Sequence, residues 1–257
     1  MLDTASLNKN MKTYINQVIL QSLGNSVRET VRAIVKKEFK KLINNSSVPT
    51  SETGSNQTRD PDWIPIFIAC PGNKRSVYRS WLTPAPFDES LEISLKTCEK
   101  DHKRRSIIDR WNWDADDLID QVRVDLYKDS QVDAMFLFDG KGSSNVSWFS
   151  KERLIKSTYK DLSRTAKINF FSMAGLYDID RHFYINSANG GCPNDFGWFQ
   201  IIDSRLRHGT SGCTFDHLYG REYPYFMYAT RNKAGHYDKE GDFGFADMMV
   251  TSVKKIK

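Results

Sequence analysis

Two hydrophobic rhythms divide the chain. From residue 5 to 43 the apolar positions Leu7, Met11, Ile15, Ile19, Leu23, Val27, Val31, Val35, Phe39 and Ile43 recur every fourth residue among helix formers, which predicts α-helix. Strict i+4 spacing overshoots the helical turn by about 40° per step, so the apolar face of one straight rod would swing almost to its opposite side. Gly24 offers a left-handed C′ position to a first helix, and Ser26 with Glu29 offers a capping box to a second. A kink or break is therefore expected near Gly24. Tyr14, Val18, Ile34 and Leu42 widen each seam enough for partner helices. Residues 1–43 are thus expected to form an oligomerisation stalk or a helical hairpin. The competing reading is a helix pair packed on its own head.

The rhythm disappears in NNSSVPTSETGSNQTRDP, residues 44–61, where Ser, Thr, Asn, Pro and Gly predict a flexible linker. Beyond it a period of two takes over. Trp63–Cys70 is a short apolar run whose Pro65 suits a strand start or a sheet edge. Leu91, Ile93 and Leu95 alternate with polar neighbours, as do Val122, Val124 and Leu126, and Ala134–Phe138 follows a polar turn. A short helix is expected from Ser150 through Leu154 and Ile155 to Tyr159. Further strands are expected at Ile168–Met173, His182–Asn186, Phe196–Ile202, Tyr223–Ala229 and Phe245–Val253. Short strands with Gly, Asn and Asp turns, and no strand-helix alternation, predict a mainly β protein. Residues 62–257 would form an antiparallel, jelly-roll-like β-sandwich head, and the helices would lie outside it.

Composition adds compartment and support. With 15 Phe, 11 Tyr and 6 Trp, the head has material for a sizeable core without relying on its cysteines. Cys70, Cys98, Cys192 and Cys213 allow three pairings. If Cys192 and Cys213 are joined, the bridge closes a loop of about 20 residues and removes roughly 3 kcal/mol of unfolded-state entropy. Sequons stand at Asn44, Asn45, Asn56 and Asn145, and three of them fall in the linker. With an even cysteine count they point to an oxidising compartment. MLDTASLNKNMKTY holds no apolar h-region, so a secreted protein would require a mature chain or a fragment, and the competing reading is a cytosolic protein with free thiols. No run approaches the apolar length of a membrane span. A net charge of +5 is mild for this length: it permits an acidic partner without demanding one, and nucleic acid, which usually calls for a denser basic patch, is not expected. Arg28, Arg32, Lys36 and Lys40 line one helix face, a pattern more often solvated than bound to a polyanion.

The ordered blocks SVYRSW, VRVDLYK, FLFDGKGS, WFSKERL, GGCPNDFGW and ADMMVTSVK resemble a head domain of secreted invertebrate proteins to which no activity is assigned. The likeness covers residues 62–257 and is most specific at GGCPNDFGW and the later Cys213. It implies a secreted β-rich domain with a bridge between Cys192 and Cys213, and it carries no catalytic residues.

Chemistry is sparse. There is no GxSxG elbow, and Cys192 between Gly191 and Pro193 lacks a thiol-enzyme signature. His102, His182, His208, His217 and His236 stand singly, without the spacing of a zinc site. The glycines of DGKGSSN lack the Walker lysine and read as a turn. No cofactor is expected. Calcium is the one ion that the acidic groups Asp114, Asp116 and Asp117, Asp178 and Asp180, and Asp238, Glu240 and Asp242 suggest, and solvated turns explain them as well. Of the aromatics, Trp111, Trp113, Trp148 and Trp198 read as core, and at least one face of YPYFMY does too. The expectation is a secreted, non-enzymatic homo-oligomer, assembled through its N-terminal helices, with a lectin-like head for glycans or other extracellular polymers. The alternative is a structural matrix component, shell matrix included, whose head serves self-assembly.

Overall fold

A computed structural model describes residues 62–83, 98, 100–112, 118–203 and 212–256. The chain divides into two compact units, Met1–Gln57 and Thr58–Lys257, and every described residue belongs to the second. The expected stalk and linker, the strand around Leu91–Leu95, Trp113 and His208 lie outside the described residues.

The head is mainly β, built from two antiparallel sheets. The first contains β1 (Ile64–Ala69), β2 (His102–Lys103), β3 (Ile119–Lys128), β4 (Gln131–Asp139), β5 (Leu154–Ser157) and β12 (Met248–Lys255), in the order β2-β1-β12-β3-β4-β5. The second contains β6 (Phe170–Ser172), β7 (Arg181–Ala188), β8 (Phe196–Ile202), β9 (Tyr225–Ala229) and β11 (Phe243–Ala246), in the order β11-β9-β8-β7-β6. The two-residue β10 (Gly235–His236) pairs beside the start of β8. The strand order does not confirm the expected jelly-roll, in which consecutive strands alternate between sheets. Here β3–β5 run on within one sheet and β6–β9 within the other.

Alternation decides which faces meet. Val122, Val124 and Leu126 on β3, Ala134, Phe136 and Phe138 on β4, and Phe199 and Ile201 on β8 share one buried cluster. Phe136 meets Phe199 across the layer at 5.5 Å, and Phe138 meets Phe171 at 5.9 Å. The β3–β4 hairpin turns on Asp129 and Ser130, both at positive φ, as a type I′ turn requires. Asp247 closes the same turn: its carboxylate accepts from Lys128 Nζ and from the Asp129 N–H, each at 2.8 Å.

Two sequence expectations need correction here. The helix expected from Ser150 to Tyr159 is a single 3₁₀ turn, Lys151–Arg153, followed by β5. Leu154 faces the core and Ile155 is exposed, an alternation that suits a strand better than a helix. The single strand expected over Phe245–Val253 is two strands in different sheets, β11 and β12, with Asp247 between them. Pro65 sits beside a bulge in the β1–β12 pairing, where its missing N–H is tolerated.

The two helices are short: α1 (Val77–Leu82) and α2 (Arg105–Ile108). Both ends of α1 are tied to buried charges. The Asp203 carboxylate accepts from Ser76 Oγ and from the N–H groups of Val77 and Tyr78. At the other end the fully buried Lys103 ammonium donates to Trp81 O at 2.5 Å and to Thr83 O at 3.1 Å. Burial holds the Lys103 pKa below the ordinary lysine value, partly offset by Asp109. Trp81, Trp148 and Phe183 pack together in the core, and the indole N–H groups of Trp81 and Trp148 share the Asn145 carbonyl at 2.8 and 3.1 Å.

Candidate binding cleft on the outer face of the second sheet

The face of the second sheet turned away from the sandwich interior carries its own cluster: Tyr184, Ile202, Cys213, Phe215, Tyr225, Met227 and Tyr237. A bulge in β7 makes this possible. His182 pairs with Ile201 and Ile185 with Phe199, so one extra β7 residue is inserted, and Phe183 takes φ +46. The insertion shifts the alternation, so Phe183 enters the inter-sheet core while Tyr184 and Arg181 serve the outer face. Gly175 is required beside it: its φ is +57, and a Cβ there would lie 2.0 Å from the Arg181 carbonyl oxygen.

Arg181 is the hub, with only 1% of its surface exposed. Its Nε donates to Asp216 Oδ1 at 2.8 Å and Nη2 to Asp216 Oδ2 at 2.6 Å, a bidentate fork. Nη1 donates to Asp195 Oδ2 at 2.7 Å, and the guanidinium lies 4.5 Å from the Phe215 ring centre. Burial is the largest single influence and works against the charge, but the bonds and charges of Asp216, Tyr184 and Asp195 together outweigh it, and the Arg181 pKa ends above its ordinary value. Each carboxylate also reaches a backbone next to a cysteine: Asp195 accepts from the Gly191 N–H at 2.9 Å and Asp216 from the Cys213 N–H at 2.7 Å. The two cysteine loops are therefore bound twice, through one arginine and through the Cys192–Cys213 disulfide. The second bridge, Cys70–Cys98, fastens the end of β1.

From this anchorage the chain runs on through Leu218 to Tyr225. Tyr223 and Tyr225 hydroxyls donate to the carbonyls of Asp216 and Phe215 at 3.0 and 2.7 Å, and Gly72 N–H donates to Pro224 O at 2.8 Å. Between these ties Tyr219 stands fully exposed, at 106% of the reference surface. Arg221 lies on the Phe245 face at 3.7 Å, and Lys74 meets Glu222 at 3.8 Å. Pro71, Gly72, Leu218–Glu222, Tyr225 and Phe245 line an open cleft of about 600 Å³.

The residues singled out from sequence fall as follows. Trp148 and Trp198 are core, Trp111 is only partly buried against that core, and both faces of YPYFMY are buried, Tyr225 and Met227 outward and Phe226 and Tyr228 inward. Asn145 is half-buried, and its sequon neighbours Val146 and Ser147 are exposed. Asn44, Asn45 and Asn56 lie outside the described residues, as do Asp114, Asp116 and Asp117. Asp238 approaches Cys192 and Cys213 closely enough for a metal site, but the two sulfurs are joined and offer no thiolate. His182 stacks on Tyr78 at 4.4 Å and bonds Ala174 O through Nδ1 at 2.7 Å. Its neighbours Ser76 and Asp203 form a helix cap, so these three residue types do not make a nucleophilic relay here. Sequence reading missed Arg181, Asp195, Asp216, Tyr219 and Arg221. The one local signal was the capping box from Cys213 to Asp216.

The fold and site together define a disulfide-stapled, β-sandwich-like head with an aromatic cleft at one rim. Two disulfides point to an oxidising environment, and no helix among the described residues is long and apolar enough to cross a membrane. Comparison with family models, with curated proteins and with solved structures found no match for this chain.

Proposed function

We propose that this is a secreted, non-enzymatic binding protein whose head takes a glycan at the Tyr219 cleft. The observation that carries the reading is Tyr219 itself: a wholly exposed ring on a segment fastened at both ends. A pyranose offers an apolar face to such a ring and a rim of hydroxyls to Arg221 and Glu222 beside it. A single open cleft of this kind binds weakly, and the amphipathic N-terminal segment supplies the remedy, because several heads on one stalk gain avidity without stronger single sites.

A glycan array probed with the full-length protein, with and without calcium, tests the cleft. Binding that disappears in Tyr219→Ala and Arg221→Ala supports it, and an array blank for the wild-type protein removes it. Size measurement with residues 1–60 deleted tests the stalk: the shortened chain is expected to be monomeric. Material that leaves its source only after reduction would point instead to the matrix-building role.

A further inference from the structure

A second cleft opens beside β6, the edge strand of the second sheet. It measures about 420 Å³ and is walled by Tyr78 of α1, by the loop and turn over residues 146–153, and by residues 171–174. Part of this lining is apolar. Phe149 and Met173 are buried, and the half-buried Phe171 meets Phe149 edge to face at 5.3 Å. Tyr78 is fixed by its stack on His182.

The polar lining consists of donors whose hydrogens are still available. Ser147 Oγ accepts from the Ser144 N–H at 2.8 Å and Ser172 Oγ from the Gly175 N–H at 3.2 Å, so each keeps its own O–H to donate. The Ser150 and Tyr78 hydroxyls bond no other group among the described residues. Arg153 is the one charged residue of the lining among the described residues. Its Nη1 donates to Asp139 O at 3.2 Å and Lys141 O at 2.8 Å, and its Nη2 to Gly142 O at 3.3 Å. A guanidinium has five N–H groups, so three neutral carbonyls hold it in place and leave Nε–H and one Nη2–H. Arg181 grips Asp216 through the same two nitrogens. Carboxylates of the neighbourhood stand outside the lining. Asp203 caps α1, Asp180 faces His182 Nε2 at 3.6 Å, and Glu152 is matched in charge by Lys151 beside it.

We propose that this cleft binds a single-ring carboxylic acid, its carboxylate on the open edge of Arg153 and its ring against Phe149 and Phe171. A planar carboxylate meets Nε–H and Nη2–H in two parallel bonds, and the serine hydroxyls donate to its remaining lone pairs. The volume lies low in the range of about 300–1,000 Å³ for ligand pockets, which suits one ring better than a chain of them. A uronic sugar and an aromatic acid share this chemistry. The site does not depend on the Tyr219 cleft.

The test uses full-length protein from a bacterial periplasm, where cysteines oxidise and Asn145 carries no glycan. It is titrated with glucuronate and with benzoate by saturation-transfer NMR, and with glucose and benzamide as the neutral counterparts. At least one acid is expected to bind at about 10 mM or below, and about fivefold or more tighter than its counterpart. Glucuronate alone assigns a sugar, benzoate alone an aromatic acid, and both together the ring carboxylate as such. Arg153→Lys keeps the charge without the fork and should weaken binding about fivefold or more. Ala174→Phe leaves the Arg153 bonds in place, fills the cleft from an exposed position and should abolish binding, while Tyr219→Ala should leave it unchanged. No binding of either acid, a smaller preference over the neutral counterpart, a smaller effect of Arg153→Lys, binding that survives in Ala174→Phe, or binding lost in Tyr219→Ala would each overturn the proposal.

Discussion

Replacing Arg181 with Met is the sharpest probe of what holds the outer face. The substitution fits the aromatic cluster but removes three charge-assisted hydrogen bonds. The Asp195 and Asp216 side chains, 1% and 0% exposed, are left without a counter-ion. Removing one partner of a buried ion pair costs about 3–5 kcal/mol, because the other charge stays buried. With an m-value of about 2 kcal/mol per molar urea, the unfolding midpoint of the oxidised protein should fall by about 2 M. Arg181→Lys keeps the charge but loses the fork and should fall between. Adding Asp216→Asn to Arg181→Met should recover part of the loss, with a coupling above about 1 kcal/mol. A shift in the Arg181→Met midpoint smaller than about 0.3 M, or a strictly additive double variant, would refute the hub.

Three further outcomes are expected. Mass spectrometry of unreduced peptides should find Cys70 linked to Cys98 and Cys192 to Cys213, and replacing either pair with serine should cost about 3–4 kcal/mol, read by urea unfolding. Burial raises the Asp101 and Asp203 pKa values above 3.8 despite their hydrogen bonds, so the folded state keeps protons that the unfolded chain has released. Stability from these two groups therefore falls as pH rises from about 4 through the raised values, and NMR titration of their carboxyl carbons should show midpoints above those of exposed aspartates. Protein from a secreting host should carry a glycan at Asn145, seen as a mass shift that peptide N-glycosidase removes. An unmodified Asn145 in such material would show that this half-buried sequon is not used.

How much could be read in advance follows the range of each interaction. The alternation of Val122, Val124 and Leu126, and the turn before Ala134, are local, and β3 and β4 stand where that pattern puts them. The Ser150 segment misled because Leu154, Ile155 and Tyr159 fit either period when so few apolar residues are present. The Phe245–Val253 run misled because a continuous apolar stretch does not announce that it changes sheets at Asp247. Arg181 was illegible for a different reason. Its partners lie 14 and 35 residues away, and its presence on the outer face depends on a bulge at Phe183 that no residue type signals.

That non-local arrangement changes what the disulfide is for. Read from the sequence, a Cys192–Cys213 bridge is a staple that reinforces a head with a sizeable core of its own. In the folded protein the same two loops are also joined through Asp195, Arg181 and Asp216, by bonds that exist without the sulfur bridge. The bridge restricts the unfolded chain, whereas the arginine places the loops in the folded one, so the two act on different sides of the equilibrium. Reduction should therefore lower stability while leaving the Tyr219 segment in place, and Arg181→Met should disturb that segment even with the bridge intact. Amide hydrogen exchange over residues 212–225 separates the two. Faster exchange on reduction at unchanged rates in Arg181→Met would return the organising role to the disulfide.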